Sequence, residues 1–286
     1  MGPTLAYEVV DVFTDRAYAG NPLAVVLDAD ELSTEQLQAI AQEFALSETA
    51  FPMSASDGAD YRLRIFTPQV ELPFAGHPSV GAADVLARLG RVARGRVVQS
   101  CGAGLLPLEI ADSTVTLTAG PPVWGEAVDA SALLAAVGLS HADLDGQPRR
   151  AGCGIDFHYL PVRPGALARV YADMRAVAAF GGAGISVVSW DGTAARCRVF
   201  AAGAGVGEDP ATGSAAVGLG VFLVVSGLVA GDGETSYDVV QGVEMGRPSL
   251  QRCTVVARGG VPVEARVSGS VVPVARGEIR IPAPLT

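Results

Sequence analysis

The chain has 286 residues, 49% of them hydrophobic and 17% charged, far from the composition of a disordered segment. A chain of this length builds one large core or two ordinary ones, and length alone favours two. The formal charge of −10, from 20 basic against 30 acidic residues, leaves no electrostatic footprint for a phosphate backbone and argues against a nucleic-acid partner. All of the cations are arginine. Without lysine there is no amine for Schiff-base chemistry and no Walker A loop. The only asparagine, Asn21, precedes Pro22, so the chain has no N-glycosylation acceptor. Cys101, Cys153, Cys197 and Cys253 lie 44 to 56 residues apart and only three histidines are present, a pattern that suits neither a disulfide scaffold nor a zinc site. They read as reduced thiols of a cytoplasmic protein.

In chain order, the first residues carry Glu8 and Asp11 with no basic stretch, which does not read as a signal peptide. Ser33–Leu46 predicts an amphipathic helix, opened by a Ser33/Gln36 capping box, with Leu37, Ile40, Ala41 and Phe44 as its apolar stripe. Short alternating or β-branched runs predict strands at Tyr61–Phe66, Val97–Ser100 and Val115–Thr118, and again at Cys197–Phe200, Tyr237–Gln241 and Thr254–Arg258. Between them lie two helices rich in small residues, Pro78–Leu89 and Ser214–Ser226. The apolar run from Ala215 to Ala230 is sixteen residues long, short for a bilayer and without basic flanks, so it reads as a helix buried on all sides rather than a membrane span. Arg88, Arg91, Arg94 and Arg96 follow the first small-residue helix and read as a solvated face complementing its dipole. Gly203–Gly207 is only loosely a dinucleotide loop, because Pro210 follows where a helix should run, and His141 and His158 read as structural.

The two series of elements repeat one another. Arg62-Leu-Arg-Ile-Phe66 recurs as Arg196-Cys-Arg-Val-Phe200, offset by 134. Gly76-His-Pro-Ser-Val-Gly81 aligns with Gly213-Ser-Ala-Ala-Val-Gly218, offset by 137, and Val97-Val-Gln99 with Val239-Val-Gln241, offset by 142. Matches in the same order with slowly growing offsets point to a two-fold duplication of half the chain, not a solenoid. The expected class is α+β, with two lobes that are each a curled β-sheet or barrel around a central helix. Residues 61–118 should then superpose on 195–258. Pro121-Pro122 marks the expected linker. The first lobe would span 1–119, joined by a returning C-terminal strand within 275–286 around Gly277–Pro282, and the second 120–274. A duplicated pair is expected to bring its two helix starts to one ligand cleft.

Those starts are the candidate site. Gly76 and His77 stand at the first and Asp209, Gly213 and Ser214 at the second, where glycines would open backbone N–H groups to an anionic ligand. Taken alone, each could equally be an ordinary helix end, with His77 and Asp209 serving local donors. Glu48 follows the apolar stripe between Leu46 and Ala50-Phe51. It is either a desolvated general acid–base, with a raised pKa, or a glutamate bonded at a helix exit.

Gly20-Asn-Pro22, Ser47-Glu-Thr-Ala-Phe51, Pro73-Phe-Ala-Gly-His77, Glu208-Asp-Pro-Ala-Thr-Gly-Ser-Ala215 and Gln241-Gly-Val-Glu-Met-Gly-Arg-Pro-Ser249 resemble the PhzF-like family of phenazine-biosynthesis isomerases and their relatives. The resemblance covers nearly the whole chain, and its Glu-Asp-Pro-Ala-Thr-Gly-Ser string is the most specific part. It implies the diaminopimelate-epimerase-like fold in a homodimer. The proton-shuttling glutamate would be Glu48. His77, Asp209 and Ser214 would contact the substrate, with Gly76 and Gly213 giving backbone donors. Related epimerases carry a catalytic cysteine at each helix start; this chain has none there, which argues against a two-thiol racemase. Ala201-Ala-Gly-Ala-Gly205 also stands where the family commonly has a proline. The expectation is therefore an isomerase, needing no cofactor or metal, that moves a proton between carbons of a small carboxylated, cyclic metabolite. The alternative is a non-catalytic carboxylate-binding protein on the same fold. Neither calls for a nucleic acid or a membrane.

Overall fold

A computed structural model describes residues 2–283. The described residues form two compact units, one of residues 2–117 and 268–283 and one of residues 118–267. In unit 1 the elements run β1 (Thr4–Val12), β2 (Asn21–Val26), α1 (Thr34–Phe44), β3 (Glu48–Met53), β4 (Tyr61–Phe66), β5 (Glu71–Leu72), α2 (Gly76–Arg88), β6 (Gly95–Cys101), β7 (Gly104–Ala111) and β8 (Thr114–Thr118). Unit 2 contains β9 (Pro122–Ala127), α3 (Ala130–Ala136), β10 (Arg149–Cys153), β11 (Ile155–Pro161), α4 (Met174–Ala179), β12 (Ile185–Trp190), β13 (Ala194–Phe200), β14 (Glu208–Asp209), α5 (Gly213–Val225), β15 (Gly233–Gln241) and β16 (Ser249–Arg258). A long strand, β17 (Val261–Arg280), begins in unit 2 and continues into unit 1.

Unit 1 closes into a barrel. β2 pairs β1 and β3, β4 pairs β3 and β6, and β7 joins β6 to β8. β17 then pairs with both β8 and β1, leaving no free edge in this ring. Every residue of α2 from Gly76 to Leu86 is buried, so the helix is surrounded rather than amphipathic, and it packs on β1, β2, β3 and β7. Unit 2 has the order β9–β10–β11–β12–β13–β15–β16. Strands from both ends of that order, β9 to β11 and β16, pack on α5, so the sheet curls around the helix. α5 is buried from Gly213 to Val224 and its apolar residues cover every face. Among the described residues, no helix is long and apolar enough to cross a membrane.

The duplication extends to the register of hydrogen bonding. In unit 1, β2 runs parallel to β3, β3 antiparallel to β4, and β4 parallel to β6; β11, β12, β13 and β15 repeat the same senses. Arg64 makes a two-pronged bond to Glu71 at 2.7 Å and lies over the Phe66 ring at 5.1 Å. Arg198 does the same to Glu208 at 2.8 and 2.7 Å, over Phe200 at 5.4 Å. The matched helix glycines are also close-packing points. A Cβ on Gly81 would lie 2.5 Å from Leu23 Cδ2, and one on Gly218 2.4 Å from the Tyr159 hydroxyl oxygen.

Several sequence expectations need correcting. The units divide between Leu117 and Thr118, close before Pro121-Pro122, and Pro122 opens β9 at an edge position where a missing N–H is tolerated. The return to unit 1 begins at Ser268 rather than 275, because Ser268 already bonds Thr116 across from β8 and Val271 bonds Ser113. Residues 284–286 of the expected closing segment lie outside the described residues. The arginines after α2 are not simply solvated, for Arg88 binds Asp84 and Glu8 and Arg91 binds Asp28. α1 ends at Phe44, since Ala45 turns left-handed with φ 51°, and Glu48 therefore opens a strand instead of sitting at a helix exit.

Candidate active site

Gly20 has φ +62°, and a Cβ there would fall 2.2 Å from the Val12 carbonyl oxygen, so only glycine makes this turn. The turn delivers Asn21, fully buried, as the first residue of β2. The parallel register Leu23↔Glu48 sets the start of β3 beside it. From the centre of the barrel, the second residue of α2 brings His77 against both strands. His77 Nε2 lies 3.5 Å from Glu48 Oε2, and His77 Nδ1 is 3.3 Å from Asn21 Nδ2. The Ser47 hydroxyl donates to Asn21 Oδ1 at 3.1 Å. Glu48 and His77 are 8% and 4% exposed. Burial pushes the His77 imidazole down to about 3, so it is neutral at ordinary pH and its contact with Glu48 is not an ion pair. Gly76, at the start of the same helix, completes the group. Ala75, the N-cap, gives no side-chain cap, leaving first-turn N–H groups for a ligand.

In unit 2, Asp209 ends β14 and is 7% exposed. It accepts a 2.5 Å hydrogen bond from the Thr212 hydroxyl. Buried Gln241, at the end of β15, braces this turn: its amide donates to the Asp209 carbonyl at 2.6 Å and to Thr212 Oγ1 at 2.9 Å, and it accepts from the Thr212 N–H at 3.1 Å. The Ser249 hydroxyl donates to the Pro210 carbonyl at 2.9 Å. Gly213 and Ser214 then open α5, again without a side-chain cap. The sequence-derived residues thus gather as Glu48, His77 and Gly76 in unit 1 and Asp209, Gly213 and Ser214 in unit 2. Asn21, Thr212 and Gln241 were assigned no role from sequence. The signal was present, since each sits inside a quoted motif, but their partners lie up to 56 residues away.

The two groups are not copies. Phe66↔Glu71 and Phe200↔Glu208 align β5 with β14, which places Leu72 where unit 2 has Asp209. The same frame matches Ala75 with Thr212 and His77 with Ser214. Thr49↔Phe66 and Ile185↔Phe200 likewise match Glu48 with Gly184. A Cβ on Gly184 would fall 1.9 Å from the Phe200 carbonyl oxygen, so no carboxylate can stand there. The thiols are elsewhere: Cys153, Cys197 and Cys253 are buried, and burial raises the first two to about 12. Among the described residues, no group of His, Cys, Asp and Glu could hold a metal ion.

The family model for phenazine biosynthesis-like protein matches residues 10–277. Trans-2,3-dihydro-3-hydroxyanthranilate isomerase of Pseudomonas chlororaphis is 34% identical over 278 residues, covering 96% of this chain and 98% of that protein. A Bacillus anthracis phenazine biosynthesis protein of the PhzF family superposes with a TM-score of 0.88 at 25% identity, covering 98% of this chain and 100% of that one. A hydroxyproline epimerase from Agrobacterium vitis shares the fold, with a TM-score of 0.70 at 14% identity over 98% of this chain and 94% of that one. The fold is the α+β, diaminopimelate-epimerase-like one expected from the sequence. The chain belongs to the phenazine biosynthesis-like protein family and is a small-molecule isomerase.

Proposed function

We propose that Glu48 takes a proton from one carbon of a small, cyclic, carboxylated substrate and returns it to another carbon on the same face. The C–H electron pair shifts through the adjoining double bond as the proton leaves, and the distal carbon recovers the proton from the same carboxyl, so no redox partner is needed. The observation that carries this reading is the one-sidedness of the duplication: a buried carboxyl faces the neutral His77 in unit 1, and glycine holds its counterpart in unit 2. A racemase with two opposed bases would need a second one. A protein that merely bound carboxylates would gain nothing from burying Glu48.

In this reading His77 acts beside Glu48, Asp209 and Ser214 contact the substrate, and the N–H groups of Gly76 and Gly213 meet its carboxylate. The name of the Pseudomonas relative supports trans-2,3-dihydro-3-hydroxyanthranilate, or a compound of its class, as that substrate. The unpaired thiols support a cytoplasmic home, and the family resemblance supports a homodimer. Incubation with trans-2,3-dihydro-3-hydroxyanthranilate and other small cyclic carboxylates in D₂O tests the activity. Isomerisation of at least one of them is expected, with deuterium entering a carbon position to the extent that the Glu48 carboxyl exchanges its proton with solvent between the two transfers. No turnover and no incorporation across the set would contradict the reading.

A further inference from the structure

Asn21 is fully buried, the only asparagine in the chain, and placed by a turn that admits only glycine. Its amide has two ends with different partners. The carbonyl oxygen accepts from the Ser47 hydroxyl at 3.1 Å, which turns the NH₂ toward His77 Nδ1 at 3.3 Å. An amide nitrogen can only donate, so the ring nitrogen it meets must offer a lone pair. In a neutral imidazole the proton then resides on the other nitrogen, Nε2, which is the atom 3.5 Å from Glu48 Oε2.

We propose that Asn21, oriented by Ser47, is a positioning residue that fixes His77 in its Nε2–H tautomer, so that the ring presents a donor and not a lone pair to the Glu48 carboxylate. The opposite tautomer would set two lone-pair acceptors against each other in a buried space and push Glu48 out of line. This deepens the proposed isomerase reading, in which Glu48 carries the proton, and rests on it for its catalytic consequence. The tautomer itself is a property of the free protein and is measurable without substrate.

The test uses the full-length protein labelled with ¹⁵N at histidine, read by long-range ¹H–¹⁵N correlation at pH 7, with His77→Gln identifying the His77 signals. In the wild type, Nδ1 is expected at the shift of an unprotonated nitrogen and Nε2 at that of a protonated one. The reverse pattern would overturn the proposal whether or not any variant folds. Asn21→Leu removes the donor while keeping the volume. It is expected to populate the Nδ1–H form and lower kcat about 10- to 100-fold, the scale of one buried hydrogen bond, with KM changed less than about threefold. Ser47→Ala, at a half-buried position, removes one partner of the amide oxygen and is expected to shift the tautomer balance less, with a smaller loss. A folded Asn21→Leu variant retaining the wild-type ¹⁵N pattern would contradict the role of Asn21, and a Ser47→Ala variant retaining it would contradict the orienting role of Ser47. The two ideas fail separately. Unchanged turnover in Glu48→Gln overturns the proton-transfer reading without touching the tautomer, whereas an Nδ1–H wild type overturns the inference and leaves Glu48 in place.

Discussion

Burial decides the charge of His77, and that choice has a signature in stability. The imidazole is held at about 3, well below its ordinary 6.5, by desolvation. Between those values the unfolded chain binds a proton that the folded chain does not. Stability therefore rises with pH across that window, by up to about 1.4 kcal/mol per unit. The contribution is complete above 6.5 and lost as the pH falls toward 3. His77→Gln lacks this term. Denaturant unfolding of both proteins at pH 4, 5 and 7 should show the wild type losing ground to the variant as the pH drops; a constant difference would mean that the ring is charged in the fold. Asp209 makes a second test. Asp209→Ala removes the acceptor of the Thr212 hydroxyl in a buried turn. Its backbone carbonyl stays bonded to Gln241. The variant should stay folded by circular dichroism while kcat/KM falls at least about tenfold, and normal turnover would make Asp209 a purely structural residue. At this scale the motifs singled out Glu48, His77 and Asp209 as candidates from sequence, because short local strings carry them. What they touch was not legible, since the Asn21–His77 and Thr212–Gln241 contacts exist only after the barrel and the curled sheet have formed.

Among the elements, the two central helices were legible because each lies inside a small-residue run with no polar stripe. Their ends were not, and α2 and α5 begin at Gly76 and Gly213, slightly before the starts that composition suggested. The strands missed from sequence, such as β10 to β12, are either short or buried on both faces and lack clean alternation. The helices explain why small residues recur. Gly218 faces the buried Tyr159, whose hydroxyl donates to the Ala215 carbonyl at 2.7 Å, so that ring cannot retreat freely. Gly218→Ala would gain about 0.5–1 kcal/mol of helix propensity and lose about 1–3 kcal/mol to overpacking. A net loss of about 1–2 kcal/mol in urea unfolding is expected, and a stabilised variant would show that the sheet does not grip α5 closely. Gln241 braces the turn before the same helix. Gln241→Leu strands the Thr212 N–H and the Asp209 carbonyl without their partner, at about 1–3 kcal/mol for each buried group. It should cost about 2–4 kcal/mol in the same measurement and lower activity through Asp209.

Over the whole molecule, duplication supplied the scaffold and divergence set the candidate residues of the two units apart. The Arg–Glu–Phe clusters, strand senses and central helices are shared by both units, which is why offsets of 134 to 142 residues could be read from the sequence. The residues proposed for acid–base work are not shared, and no repeat could reveal them: Glu48 answers to Gly184, Asp209 to Leu72, and His77 to Ser214. An enzyme that moves one proton with one carboxyl needs only one such group. Glu48→Gln keeps the size of the side chain and most of its hydrogen bonds but cannot accept a proton from carbon. The decisive measurement is the turnover of this variant on trans-2,3-dihydro-3-hydroxyanthranilate, or on whichever cyclic carboxylate the wild type accepts, with binding followed separately by calorimetry. A folded protein that still binds and has lost at least about 10²-fold in kcat is the expected result. Turnover within a few-fold of the wild type would assign the proton transfer to another group, with His77 next in line.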